Sequence, residues 1–215
     1  MKRNKFNMSN DHHLTGSMGY LIPINLQEVN PGDIVQGRSL ALIRFNKVLR
    51  PVMTPCYVRI HHWFVPNRLV WTDWEEFITG YDEDASESTK VHPYINIASN
   101  PGESSLLDYL GVPSGTYAAS IDINALPVRG YNLIYNDYYR DQQLQSSLTI
   151  DKTDGQDTTT NTTIQQVNWP KDYFTTCRSA PQLGTQINIP LSGDAPITGI
   201  GPGKQTYGRS NATGS

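Results

Sequence analysis

Hydrophobic and polar residues alternate along two stretches of the chain, and this alternation predicts two β-strands. Residues 38–48, RSLALIRFNKV, carry apolar side chains on both pleat faces over their first half, which indicates a strand buried at that end. Residues 56–65, CYVRIHHWFV, place a mostly apolar set on one face. The other face is mixed aromatic and basic, and consists of Tyr57, Arg59, His61 and Trp63.

After Pro66 the spacing of the apolar residues changes from that of a strand to that of a helix. Thr72 and Glu75 have the spacing of a capping box, in which each side chain bonds the other residue's backbone N–H. The sequence therefore predicts a helix over 73–79, and Gly80 is suited to end it.

Two more short helices are predicted, over 104–110 and over 130–141. The second carries an apolar stripe at helical spacing, formed by Tyr131, Ile134, Tyr135 and Tyr138. Three stretches lack any period: residues 81–100 and 142–168 are predicted as flexible polar loops, and 192–215 as a Gly/Ser-rich tail. None of these three can bury enough apolar area to offset its own ordering entropy.

Two strands do not close a sheet, because each leaves an edge of unpaired backbone groups. The fold is therefore predicted to be mainly β and incomplete in this chain. Either the 215 residues are part of a longer protein, or other subunits complete the sheet.

Composition agrees with a fold of strands and long loops. Hydrophobic residues make up 37% and charged residues 17%, below the roughly 45–50% and about 25% of globular domains, so uncharged polar residues, Gly and Pro are abundant. Residues 1–80 hold nine Lys and Arg against six Asp and Glu, whereas 81–215 hold eight against fourteen.

Cys56 and Cys177 have no clustered metal-binding spacing, which favours a reducing compartment. Without a run long enough to span a bilayer, we expect a soluble protein made in the cytoplasm.

The sequence predicts no catalytic residue, metal site, cofactor or small-molecule substrate. His61 and His62 are neighbours on a predicted strand and so point to opposite faces, which prevents them from chelating one ion together. Glu75 and Glu76 are expected on a solvated helix face. The GxSxG, P-loop and GxGxxG patterns are absent, and GIGPGKQT at 199–206 resembles a phosphate loop in composition only. The protein is not expected to be an enzyme.

Nucleic-acid contact has two candidate sources. Lys2, Arg3 and Lys5 form a basic N-terminal arm that could neutralise phosphates, although a solvated terminus has the same composition. The aromatic residues Tyr57, Trp63 and Phe64 could stack on bases, or they could pack in a core or an interface.

The order of four segments is informative as a set. They are LTGSMGYLIPINLQEVNPGDIV (14–35), LRPVMTPCYVRIHHWFVPNRLVWTDWEEFITG (49–80), ALPVRGYNLIYNDYYRDQ (125–142) and WPKDYFTTC (169–177). In this order they resemble the major capsid protein of the microviruses, small tailless phages with single-stranded DNA genomes, and most of all its gokushovirus branch. The resemblance covers most of residues 5–190.

The resemblance implies an antiparallel viral jelly-roll, a β-sandwich of eight strands with long loop insertions that carry short helices. It implies a single capsid domain over 1–215 that is the N-terminal portion of a longer one, since members of the family are much longer. Many copies would form a T=1 icosahedral shell around the genome. A stand-alone jelly-roll module that binds carbohydrate or nucleic acid is the alternative, since the architecture serves both.

For such a protein, function is contact with partners. The expected partners are further copies of the chain, in pentamers, then packaged single-stranded DNA, other virion or scaffolding proteins and a host cell-surface receptor. The expected location is the virion, after synthesis in the cytoplasm of a bacterial host. Interface energy concentrates in buried aromatic and Arg residues. The predicted core or inter-subunit anchors are Trp63, Trp71, Trp74, Phe77, Tyr135, Tyr138 and Arg140. The arm of Lys2, Arg3 and Lys5 would face the DNA.

Overall fold

A computed structural model describes residues 4–80, 89–170 and 172–174 of the chain. It separates the chain into two compact units, Met1–Pro170 and Lys171–Ser215, whereas the sequence predicts one domain over 1–215. All the helices and strands of the described residues lie in the first unit. Of the second unit only 172–174 are described, so the predicted tail at 192–215 lies outside the described residues.

The first unit is mostly non-helical and contains a small antiparallel sheet. Its described elements, in chain order, are helices α1 (Asn67–Val70) and α2 (Trp74–Thr79), strand β1 (Tyr94–Ile97), helix α3 (Leu106–Tyr109), strand β2 (Ile121–Asn124), helix α4 (Leu126–Ile134) and a π-helical turn (Tyr135–Tyr139).

The sheet pairs β1 with β2 in an antiparallel register that places Asn96 opposite Asp122. Residues of β1 alternate between the core and the solvent, as expected of a sheet with one buried face: Ile95 and Ile97 are buried and Asn96 is exposed. On the exposed face the Asn96 amide donates to the Asp122 carboxylate over 2.6 Å. A cross-strand hydrogen bond of this kind helps to fix the register.

The core lies between this sheet and the helices that follow each strand. Its buried members are Ile95, Ile97, Leu106, Leu107, Val112, Ala125, Val128 and Tyr131. Helix α3 begins at a capped end, because the Ser105 hydroxyl accepts a hydrogen bond from the Asp108 backbone N–H and satisfies one of the unpaired donors there. The predicted helix over 104–110 is thus present, with shorter bounds.

Helix α2 occupies nearly the predicted range of 73–79, but its start differs from the prediction. The residue before the helix is Asp73, and its side chain makes no capping hydrogen bond, so the predicted capping box is not formed. The end agrees with the prediction: Gly80 adopts the left-handed conformation at φ 77° and donates its N–H to Glu76 O. Glycine reaches this conformation without the steric cost that a Cβ brings.

Helix α4 begins earlier than the predicted range of 130–141. The Asn124 side chain accepts the Leu126 N–H over 2.8 Å, and Pro127 lies in the first turn, where its missing N–H costs no hydrogen bond. After Ile134 the helix widens into the π-helical turn, which closes with a bond from Arg140 N to Tyr135 O.

The strands predicted over 38–48 and 56–65 are not formed in the structure. Both stretches are irregular, and the backbone hydrogen bonds of the described residues include none that forms a ladder along them. Almost every side chain of the two stretches is exposed, and Leu42 is 100% exposed. The alternating pattern therefore has no neighbouring strand here to pair with, and a strand without a partner is not stable by itself.

Two ranges predicted as polar loops carry more structure than that prediction allows. Strand β1 lies inside the range 81–100. It was not predicted because its alternating run, YINI, is short and follows an acidic stretch, so the pattern over a longer range is polar. The range 142–168 has neither helix nor strand, but it is bonded to the rest of the unit. Gly155 lies beside β1, accepting the Tyr94 N–H, and Asp157 N donates to Tyr94 O.

Candidate assembly interface

The seven predicted anchor residues fall into three places in the first unit. Trp71, Trp74 and Phe77 belong to one aromatic cluster at helices α1 and α2. Tyr135 and Arg140 lie at the π-helical turn. The last two, Trp63 and Tyr138, form a pair on the surface.

Trp71 is the centre of the first cluster and is completely buried. Its ring centroid lies 4.8 Å from that of Phe77, 5.8 Å from that of Trp74 and 5.8 Å from that of His92, the last two in edge-on arrangements. Edge-on and offset arrangements suit the ring quadrupoles. Trp74 and Phe77 keep part of their surface in solvent, so the cluster has a buried centre and a half-exposed rim.

Tyr135 and Arg140 hold the polar segment 142–168 against the π-helical turn. The buried Tyr135 hydroxyl donates to the Gln145 side-chain oxygen, and the Arg140 guanidinium donates to the Gln145 backbone oxygen over 2.9 Å. Nearby, the Asn136 side chain pairs with the backbone of Leu148 in both directions, over 3.0 and 2.8 Å. These residues stabilise contacts inside the unit.

Trp63 and Tyr138 differ from the other predicted anchors in being exposed. Their ring centroids are 4.0 Å apart, yet Trp63 is 40% and Tyr138 is 64% exposed. His61 stacks on Tyr139 with centroids 5.9 Å apart and is hydrogen-bonded to its hydroxyl. The four rings form a continuous surface, which we call the aromatic ridge.

A buried ion pair between Arg129 and Asp157 joins helix α4 to the polar segment. The Arg129 Nε donates to Asp157 Oδ2 over 2.8 Å, and neither side chain has any exposed surface. The guanidinium also donates from its Nη1 to the backbone oxygens of Val70 and Thr153, over 3.2 and 3.0 Å. One side chain thereby connects α1, α4 and the polar segment.

The Asp157 carboxylate has a complete set of donors. Burial by itself would raise its pKa, but hydrogen bonds from the Thr160 hydroxyl and backbone N–H, together with the Arg129 guanidinium, outweigh burial and hold the pKa below its usual range. The Asp157 carboxylate is therefore ionised in the folded protein near neutral pH.

Tyr131 joins the two ends of the first unit. Its hydroxyl donates to Leu21 O and accepts the Gln165 N–H, each over 2.9 Å. The same two segments are bonded directly, from Leu21 N to Gln165 O. Burial raises the pKa of Tyr131 to about 12, so the hydroxyl stays protonated and able to donate.

Replacing Tyr131 with phenylalanine is expected to destabilise the unit by about 1–3 kcal/mol, because the change leaves the Gln165 N–H and the Leu21 oxygen without this partner. Urea unfolding measures the change. The matched control is Tyr57→Phe, at an exposed tyrosine, where a change within about 0.5 kcal/mol is expected. Equal unfolding midpoints for the two variants would contradict the role of Tyr131.

The predicted DNA-contacting arm is described only in part. Lys2 and Arg3 lie outside the described residues, and Lys5 is exposed.

From residue 4 to 59, every side chain is exposed except those at 21–23. These exposed side chains include many large apolar ones, among them Phe6, Met18, Leu40, Leu42, Phe45 and Leu49. A monomeric surface rarely carries so much apolar area, which is typical of a surface that another chain covers.

The described residues bring no metal-binding set together. Among residues 4–80, 89–170 and 172–174, no group of three or more His, Cys, Asp or Glu side chains is placed to hold an ion. His61 is bonded to Tyr139, and His62 lies 3.4 Å from the Ser39 hydroxyl. In the same ranges, no helix is long and apolar enough to cross a membrane.

Arg129 and Asp157 are the residues that sequence reasoning missed. The signal was weak: an Arg inside a stripe of apolar residues and an Asp in a run of Thr and Asp, 28 positions apart. A charged residue on the apolar face of a helix is nearly always paired when it is buried. That rule identifies Arg129 as a residue in need of a partner, but it does not choose among the many Asp residues.

The chain is similar in sequence to known proteins. The family described as "Capsid protein (F protein)" matches residues 1–215. The chain is 36% identical to "Capsid protein VP1" of Bdellovibrio phage phiMH2K over 91% of its length, and 33% identical to "Capsid protein VP1" of Chlamydia phage 1 over 93%. It is 30% identical to "Capsid protein VP1" of Spiroplasma virus 4 over 85% of its length. The chain spans 37%, 38% and 35% of these relatives, respectively. On the match over its whole length, the chain belongs to the capsid protein (F protein) family.

Proposed function

We propose that this chain is part of a major capsid protein, a structural subunit that associates with copies of itself into a virion shell. Membership of the capsid family is the observation that carries the proposal. The exposed apolar surface of residues 4–64 is consistent with it, because apolar area of this extent is normally covered by further polypeptide, either of the same subunit or of its neighbours. The role is structural, and it needs no catalytic residue, metal or cofactor.

The fold of the assembled subunit is proposed to be the antiparallel jelly-roll that the family resemblance implies. The stretches 38–48 and 56–65 have the alternation of strands and lack neighbours in the described residues. In a longer protein, polypeptide equivalent to the unmatched part of the relatives would supply the pairing strands and bury Leu40, Leu42 and Phe64. The helices α2 to α4 then belong to insertions on the outside of the roll.

The partners follow from this role. Copies of the subunit form pentamers and a T=1 shell, and the shell encloses single-stranded DNA. The basic arm of Lys2, Arg3 and Lys5 faces that DNA. Other virion or scaffolding proteins assist assembly, and a host cell-surface receptor contacts the outside. Synthesis takes place in the cytoplasm of a bacterial host.

Two of the predicted anchors, Trp71 and Tyr135, are buried within the first unit, and we propose that they act as core anchors. Trp74, Phe77 and Arg140 keep part of their surface exposed. They are proposed to extend from the subunit core into the centre of a contact, where aromatic and Arg side chains contribute most of the binding energy.

Assembly tests the proposal. A chimera that joins residues 1–215 to the unmatched remainder of VP1 from Bdellovibrio phage phiMH2K is expected to form closed icosahedral particles, as observed by electron microscopy. Leu42→Asp is expected to abolish the particles, because the pairing strands of the longer protein are proposed to bury this fully exposed side chain, and a buried carboxylate without a partner is costly.

The matched control is Leu144→Asp, at an exposed leucine in the polar segment, and this variant is expected to assemble normally. A chimera that stays monomeric and binds glycans would instead support a stand-alone jelly-roll binding module.

A further inference from the structure

The aromatic ridge joins the stretch 56–65 to the π-helical turn through two alternate residues. His61 stacks on Tyr139 and is hydrogen-bonded to its hydroxyl. The Trp63 ring lies 4.0 Å from that of Tyr138 and meets the His61 ring edge-on at 5.9 Å, measured between centroids. Residues two apart on an extended chain point to the same side. Both rings therefore project from one face of the stretch.

Val65 continues this alternation onto helix α4. It lies over Gly130, where a Cβ would be 3.8 Å from Val65 Cγ1 and 4.0 Å from Val65 Cβ. An extended chain advances about 13 Å over residues 61–65, and a helix advances about 14 Å from Gly130 to Tyr139. The two lengths match, so residues 61–65 run along the helix in an extended conformation and in the opposite direction.

The even-numbered side chains of the same stretch are turned away from the helix. Val58 and Phe64 are 59% and 76% exposed, and His62 lies 3.4 Å from the Ser39 hydroxyl instead. The stretch therefore has one face that is already packed and one apolar face that is open.

We propose that helix α4 and the π-helical turn form a template that holds residues 56–65 with the odd-numbered face outward, and that this contact persists in the assembled shell. The inference rests on the proposed function, because that function supplies the strands that pair with 56–65. The odd-numbered face stays against the template. The even-numbered face, with Val58, Ile60 and Phe64, turns inward to the core of the roll.

A template of this kind removes a choice that the sequence leaves open. The stretch 56–65 carries large side chains on both faces, with Tyr57 and Trp63 on one and Val58 and Phe64 on the other. A slip of one residue in strand pairing would exchange the two faces. The template opposes this exchange, because it would separate the rings of the aromatic ridge. Holding the chain extended also lowers the conformational entropy that pairing has to offset.

Disulfide formation in the 215-residue chain tests the contact. The native cysteines, Cys56 and Cys177, are first replaced with serine. Val65→Cys combined with Gly130→Cys is expected to form an internal disulfide when oxidised glutathione takes up the electrons of the two thiols, because a Cβ separation of 4.0 Å suits a disulfide. Phe64→Cys combined with Gly130→Cys is the matched control and is expected to form none. Mass spectrometry of a digest measures both.

The same pair of cysteines tests whether the contact persists in the shell. In the chimera, with its other cysteines replaced by serine, the oxidised protein with Val65→Cys and Gly130→Cys is expected to form particles as well as the reduced protein does. A shell that forms only after reduction would show that the stretch has to leave the template, and this result would overturn the inference.

Two single substitutions test the choice of face without an engineered disulfide. Val58 and Tyr57 are neighbours, and both are exposed in the 215-residue chain, so neither change is expected to disturb its folding. In the chimera, Val58→Asp is expected to abolish the particles, because it buries an unpaired carboxylate in the core of the roll. Tyr57→Asp is the matched control on the outward face and is expected to assemble normally.

Three further results would overturn the inference: no disulfide between positions 65 and 130 in a chain that circular dichroism shows to be folded, a disulfide that forms as readily between positions 64 and 130, or equal effects of the two Asp changes on assembly. If the double-cysteine chain does not fold, the two Asp changes decide. If the unmodified chimera forms shells while any of these results is found, this inference fails and the proposed function stands. If the unmodified chimera forms no shell, the proposed function fails, and the disulfide pattern of the 215-residue chain decides whether the template holds the stretch.

Discussion

Replacing Asp157 with asparagine is expected to lower the free energy of unfolding by about 3–5 kcal/mol, the usual cost of removing one partner from a buried ion pair. The change leaves the Arg129 guanidinium, which has no exposed surface, without its counter-charge. It also weakens the acceptor for the Thr160 hydroxyl and backbone N–H. Denaturant unfolding of the 215-residue chain measures the loss. Asp137→Asn, at an exposed carboxylate on the π-helical turn, is the matched control and is expected to change stability by less than about 0.5 kcal/mol.

The dependence of stability on pH distinguishes a charge effect from a packing effect. The folded pKa of Asp157 is lowered, so its carboxylate contributes stability that is fully present above the unfolded value of about 3.9. That contribution is lost as the pH falls through the lower, folded pKa. The unmodified chain should therefore lose this stability as the pH falls below about 4. The Asp157→Asn variant should lose less stability over the same range. Parallel pH profiles for the two proteins would show that the charge of Asp157 does not stabilise the fold.

Replacing Trp71 with alanine is expected to destabilise the first unit by about 3–5 kcal/mol. The side chain is completely buried, and its removal leaves a cavity among Trp74, Phe77 and His92. Trp71→Phe should cost less, because it keeps an aromatic ring and loses no hydrogen bond: the indole Nε1 has no hydrogen-bond partner among the described residues. Thermal unfolding followed by circular dichroism ranks the two variants.

Trp169→Ala is the control for this series, since it removes an exposed tryptophan from the same unit. Its unfolding temperature should match that of the unmodified chain closely. A Trp71→Ala protein as stable as the Trp169→Ala protein would mean that the aromatic cluster at α1 and α2 can collapse around the cavity, and that Trp71 is not an anchor of the core.

Local signals in the sequence indicated helices near α2, α3 and α4, although with other bounds, whereas alternation did not identify the strands of the described residues, for a physical reason. Helix α2 ends at Gly80, and its bounds depend on residues within one or two turns of each other. A strand depends on a partner that is distant in sequence, so alternation over 38–48 and 56–65 indicates a capacity to pair and does not identify the partner. The short run of β1 formed a strand because β2 and Gly155 lie beside it.

The candidate interface shows the same difference between local signals and contacts that join residues distant in sequence. Composition and spacing suggested its aromatic residues as anchors, and the structure adds which of them are covered: Trp71 is buried, whereas Tyr138 is exposed. The pair of Arg129 and Asp157 could not be found from sequence, because it joins a helix to a segment without any period. Polar segments of this kind are held by individual side-chain bonds, and such bonds leave no repeating pattern.

The pairing of Asn136 with Leu148 has a consequence for how the protein tolerates change. Asn136 donates one N–H of its side-chain amide to Leu148 O and accepts the Leu148 N–H at its amide oxygen, so both bonds reach the backbone of Leu148. The constraint on sequence is therefore one-sided: position 136 must keep an amide of this length, whereas position 148 contributes groups that almost any residue has. At this point of attachment to the π-helical turn, the polar segment therefore tolerates substitution of Leu148 better than the turn tolerates substitution of Asn136.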